Sequence, residues 1–144
     1  KRGDQAEEAL GRSKGGFTTK IHAATDALGN PIRLTLTAGN RHDVTQAEVL
    51  IEGWETERVI ADKGYDSDQV LATIEALPAE VVIPPKANRL EQREYDQDFY
   101  KERHLIECFF NKLKQFRRVF SRFEQTARNY LAFVQFASIM IWLR

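Results

Sequence analysis

Leu105, Ile106, Phe109, Leu113, Phe116 and Phe120 recur at the spacing of one helix face, and this pattern restricts the fold more than any other in the chain. At roughly 100° per residue, the opposite side of a helix from Tyr100 to Lys114 gathers Tyr100, Arg103, Glu107, Asn111 and Lys114 in one narrow stripe. A single carboxylate then stands between two cations and a phenol, on a helix whose other face must be buried. That grouping suits a metal-bound phosphodiester. The carboxylate would hold a divalent cation, and the cations and phenol would hold phosphate oxygens. A solvated, ion-paired face would account for any one of these residues alone, but not for the four together at a set register.

The bulk chemistry is that of a folded, soluble chain. At 144 residues it is expected to form one domain with a real core. A hydrophobic content of 42% against 29% charged residues excludes a disordered chain. The 21 basic and 21 acidic residues cancel, so net charge does not point to a polyanionic partner. Local charge does. Lys101 to Arg128 holds eight Lys or Arg against three Glu, while Asp62 to Asp98 is acidic, the polarity expected where DNA and metal ions share a surface. Cys108 is the single cysteine, which excludes an intramolecular disulfide; its place on the helix flank predicts a packing role. The apolar run from Leu131 to Leu143 is shorter than the ~18 residues a membrane span needs and is interrupted by Gln135. It reads as a buried core helix. With no apolar leader at Lys1-Arg2-Gly3-Asp4, the expected location is the cytoplasm, with no membrane partner.

Along the chain, residues 1–16 are polar and glycine-bearing and are expected to be an N-terminal linker. Phe17 to Ala24 and the alternating Ile32, Leu34 and Leu36 predict two strands, joined by turn residues Asp26 to Pro31 into an antiparallel hairpin. Asp26 is expected to serve the turn rather than catalysis. Asp43 and Gln46 form a capping-box-like start for a helix from Val44 to about Glu52. Arg58 to Ala61 reads as a strand ending at Asp62, Asp66 to Leu77 as a helix, and Glu80 to Ile83 as a strand closed by Pro84-Pro85. A polar connection leads to the Tyr100 helix, and a second long helix runs from about Glu124 to Leu143. The order predicts an α/β fold.

The Y-(2)-R-(3)-E-(6)-K spacing of Tyr100, Arg103, Glu107 and Lys114 resembles that of DDE transposases of bacterial insertion sequences, in the group of families four and five. Further stretches extend the resemblance to family five over nearly the whole chain. They are Gly11-Arg12-Ser13-Lys14-Gly15-Gly16, Thr37-Ala38-Gly39-Asn40-Arg41-His42-Asp43, Ala61-Asp62-Lys63-Gly64-Tyr65 and Tyr95-Asp96. The resemblance implies a ribonuclease H-like fold over residues 17–144, in which three acidic residues converge on two Mg²⁺ ions, with Mn²⁺ as a substitute. It makes Asp62 the second acidic metal ligand and Glu107 the third. Asp62 alone would otherwise be read as a strand-end cap, and its neighbour Gly64 as room for a substrate backbone. Arg103, Lys114 and Tyr100 would bind phosphates. Lys63 and Tyr65 are weaker candidates for DNA contact. His42 would line the site, with a hydrogen-bonded structural histidine as the equal alternative.

The first acidic residue of the family lies on a strand upstream of the Gly-Arg-Ser stretch. Asp4, Glu7 and Glu8 stand in a polar segment without a strand pattern and do not replace it. In the order 3-2-1-4-5 that strand is central, so the sheet is expected to lack its middle and to expose two edges. The resemblance therefore implies a partial catalytic domain, the downstream frame of a two-frame transposase or a truncated copy, inactive by itself. Its expected partners are double-stranded DNA, an upstream transposase segment and further copies of itself on DNA. The alternatives are a non-catalytic DNA-binding regulator, which would need the basic helix but neither carboxylate, and a ribonuclease H-like nuclease without strand transfer.

Overall fold

The computed structural model describes residues 8–13 and 16–144. Asp4 and Glu7 lie outside the described residues. The architecture is mixed α/β, with two small sheets and several helices. Two compact units form, one from Lys1–Arg41 with Leu105–Arg144 and the other from His42–His104.

The first unit is built on the expected hairpin. Strands β2 (Gly16–Thr25) and β3 (Pro31–Ala38) pair antiparallel, with Ile21 opposite Leu36 and Ala23 opposite Leu34. These four lie at alternate positions, so all reach one face, where they pack on Phe109, Leu113, Val119, Tyr130, Val134 and Ala137. The turn forms as expected: Asp26 Oδ1 accepts the N–H groups of Leu28 and Asn30, both at 2.9 Å. Strand β1 (Gly11–Ser13) falls inside the segment read as a linker and pairs antiparallel with residues 16–18. Two glycines of the motif stretches permit the close packing there. A Cβ at Gly39 would meet the Thr18 side chain and lie 3.0 Å from its carbonyl, and one at Gly11 would meet Asn40 and Ala38.

The C-terminal part of this unit differs from one continuous helix. Helix α4 (His104–Leu113) ends, and the chain restarts as the short α5 (Arg117–Phe120) before α6 (Ala127–Trp142). The helical register that placed Phe120 beside Phe116 is lost at this break, and Phe120 is exposed instead of buried. Cys108, expected to pack, is also exposed. Helix α6 is the expected second long helix, but it is not the buried core helix its apolar run suggested: Tyr130, Val134, Ala137 and Ser138 are buried, while Phe136, Ile139, Met140 and Trp142 are exposed. Thr126 Oγ1 caps it by accepting the Asn129 N–H, and the Glu8 carboxylate accepts the Ala127 N–H at 2.5 Å. Among the described residues no helix is long and apolar enough to cross a membrane.

The second unit pairs β4 (Arg58–Ile60) with β5 (Glu80–Val82) in parallel, Val59 opposite Val81. Helix α1 (Ala47–Ile51) and helix α2 (Asp68–Glu75) pack with them around Ala47, Val70, Ile74, Ala79 and Ile83. The α-helix does not start at Val44 behind Asp43 but later, at Ala47. A 3-10 turn over Asp43–Gln46 precedes α1, and the His42 carbonyl accepts the Thr45 N–H and hydroxyl at 3.1 and 2.7 Å. Helix α2 likewise starts later than expected, with Ser67 Oγ accepting the Val70 N–H at 3.3 Å.

Candidate active site

Parallel strand β4 ends at Ile60, and Asp62 follows at the strand's carboxyl end, where open α/β sheets bind ligands. The backbone enters a 3-10 turn over Lys63–Tyr65, and Asp62 Oδ1 accepts the Gly64 N–H at 2.5 Å. The carboxylate is therefore held in place while remaining exposed. A Cβ on Gly64 would stand 2.7 Å from that same oxygen, so this glycine makes room for the Asp62 side chain itself. Lys63 and His42 are exposed. Tyr65 packs against the core of this unit. Burial, and then the charges of Asp43 and Asp62, push its phenol up to about 12, so at neutral pH it is a protonated donor beside two carboxylates.

Tyr100 sits on α3 (Gln97–Lys101), capped by Asp96 Oδ1, which accepts the Asp98 and Phe99 N–H groups at 2.8 and 3.0 Å. Tyr95 meets Tyr100 edge-on, with ring centroids 5.5 Å apart, and the Arg103 guanidinium lies 5.6 Å from the Tyr100 ring centroid. Tyr100 and Arg103 thus form a local pair. They do not share one continuous helix with Glu107. The chain tightens at Glu102 and Arg103, whose N–H groups bond Phe99 and Tyr100 carbonyls three residues back. Within α4, buried Phe109 and Leu113 hold one side in the core, while Glu107, Asn111 and, just past its end, Lys114 are exposed. The stripe read from the sequence survives as two segments, one in each compact unit.

The buried carboxylate that sequence reasoning missed is Asp66. It accepts the Lys86 N–H at 2.7 Å and Arg89 Nε at 2.7 Å on Oδ2, and Arg93 Nη2 at 3.3 Å on Oδ1. Arg93 Nη2 also donates to the Ile83 carbonyl at 2.9 Å, and Arg89 pairs with Asp68 at 2.8 Å. Burial pushes the Asp66 carboxyl up, but the Arg89, Lys86 and Arg93 hydrogen bonds outweigh it and hold it below the usual aspartate range. This network ties the polar connection after Pro84-Pro85 to the segment that carries Asp62. Arg89 and Arg93, four residues apart, were its only trace in the sequence.

Carboxylate oxygens such as those of Asp62 and Glu107 are the donors that Mg²⁺ prefers. Among the described residues, no three His, Cys, Asp or Glu side chains come together as a metal cluster. One unit carries the exposed Asp62 carboxylate and the Tyr100–Arg103 pair, and the other carries the exposed Glu107 and Lys114, on a mixed α/β scaffold. Residues 3–141 match the family described as Transposase DDE domain. The chain is 45% identical over 130 residues to the "Putative transposase for insertion sequence element IS6501" of Brucella ovis, covering 89% of this chain and all of that relative. It is 32% identical over 135 residues to the "Putative transposase for insertion sequence element IS402" of Burkholderia cepacia, covering 85% of this chain and 62% of that relative. No solved structure matches. The chain belongs to the DDE transposases of insertion sequences.

Proposed function

We propose that this chain is the larger part of a ribonuclease H-like transposase catalytic domain, residues 17–144, that cuts and joins DNA ends with divalent cations. The observation that carries the reading is the placing of Asp62, an exposed carboxylate at the carboxyl end of a parallel strand, fixed through one oxygen by the Gly64 N–H. Asp62 and Glu107 are its second and third acidic ligands. Bound divalent cations would supply activation of water or a DNA 3′-hydroxyl and stabilisation of the leaving oxygen. The chain's own residues orient the substrate. Arg103 and Lys114 hold phosphates flanking the scissile bond, and Tyr100 donates to one of them. Tyr65 stays protonated, and Lys63 and His42 line the DNA path. The first acidic ligand is assigned to an upstream transposase segment, as membership of the family implies.

The test is Mg²⁺-dependent cleavage of insertion-end DNA by the chain alone and joined to such an upstream segment. Activity is expected only in the joined protein, with a loss of at least about a hundredfold in Asp62→Ala and Glu107→Ala, about 2.7 kcal/mol of barrier. Cleavage by the chain alone would overturn the incompleteness. Full activity in either variant would overturn the site.

A further inference from the structure

The connection between α5 and α6 is held firmly, yet it turns two phenyl rings outward. Arg122 is the anchor. Its Nη1 donates to Thr19 Oγ1 at 2.5 Å, its Nε to the Glu124 carbonyl at 3.0 Å and its Nη2 to the Gln125 carbonyl at 3.2 Å. Tyr130, 5.2 Å beneath that guanidinium, donates its buried hydroxyl to the Val119 carbonyl at 2.7 Å. Arg118 closes the loop from outside, 3.2 Å from Glu124. These bonds fix the shape of the loop, although the buried Glu124 Oε2 itself accepts no hydrogen bond. Phe120 and Phe123 nonetheless remain 73% and 61% exposed. Three residues apart, their Cα atoms lie within about 11 Å of each other.

Charge decides what such rings are for. From Lys112 to Arg128 there are six Lys or Arg and one acid, Glu124, and that acid is already paired with Arg118. A protein-binding patch is depleted of charge at its centre. Exposed aromatics interleaved with cations instead match nucleic acid, where the cations follow the phosphates and the rings stack on bases. A phenyl ring has no hydrogen-bonding group with which to read a base edge in a closed duplex. It needs a base that is unpaired or a step that is opened.

We propose that Phe120 and Phe123 form a stacking platform for unpaired bases at a DNA end, with the exposed Arg117 on the adjoining phosphate. The proposal rests on the transposase reading and names the form of DNA the domain holds.

The test measures binding of the full chain to a blunt duplex and to the same duplex with a short single-stranded extension containing 2-aminopurine. Wild type is expected to favour the extended DNA and to quench its fluorescence. The double variant Phe120→Ala/Phe123→Ala should lose about tenfold in affinity for the extended DNA, with the blunt duplex unchanged and the circular dichroism and melting temperature retained. Phe123→Tyr should keep the preference. Arg117→Ala should weaken both DNAs and flatten their salt dependence. Equal binding of both DNAs by wild type and the double alanine variant overturns the platform. So does an effect of that variant on self-association or on binding to anionic vesicles with DNA binding intact. Neither result touches the Asp62 and Glu107 cleavage test, so the two readings fail separately.

Discussion

Asp66 has no exposed side-chain surface and receives its hydrogen bonds from residues 20 to 27 positions away. Removing it takes the shared carboxylate from two half-buried guanidinium groups, leaving Arg89 with Asp68 and Arg93 with the Ile83 carbonyl, and strands the Lys86 N–H. Asp66→Ala should therefore cost about 3 kcal/mol, read as a lower urea midpoint with an unchanged slope. The pH dependence follows from the lowered carboxyl. Stability from Asp66 is complete above the ordinary aspartate range near pH 4 and is lost as the pH falls through the lower folded-state value. Asp66→Asn should flatten that acid limb of a stability-against-pH curve; an unchanged limb would show that the network carries no linkage. Asp62, four residues earlier, shows the other use of a carboxylate, exposed and held by a single N–H.

At the scale of elements, what was legible was what neighbours along the chain decide. The hairpin, the Asp26 turn and helix α6 rest on alternation, turn residues and helical spacing. Where a long-range contact outweighed the local pattern, the reading failed. Gly11–Ser13 is a different case: polar and glycine-bearing, it pairs with Gly16–Thr18 only a few residues on, a short-range contact its composition did not signal. The helix from Tyr100 divides at Glu102–Arg103 and again after Leu113, and no proline or glycine in the sequence marks either place. The second division puts Arg122 on β2 and Phe120 in solvent. Arg122→Ala should free the Glu124 and Gln125 carbonyls and the Thr19 hydroxyl, at about 1–3 kcal/mol. Hydrogen exchange is expected to quicken between Ser121 and Gln125; unchanged protection there would show that the loop is held by other contacts.

At the scale of the whole molecule, the described residues form two cores, one around Phe109, Tyr130 and Val134 and one around Ile74 and Ile83. Each is complete within its own unit, so Ile74→Ala should cost about 2–5 kcal/mol and raise amide exchange in β4, β5 and α2. Exchange that quickened in β2 and β3 instead would contradict that assignment. The sequence by itself determined the family, the α/β class and the hairpin, because residue type, spacing and periodicity are local properties. The tertiary structure alone decided that the signature helix is broken, that Gly64 makes room for Asp62, that Asp66 is buried among arginines and that Phe120 and Phe123 face water. Those outcomes depend on which distant backbone and side-chain partners the fold delivers, and one-dimensional spacing does not encode that choice.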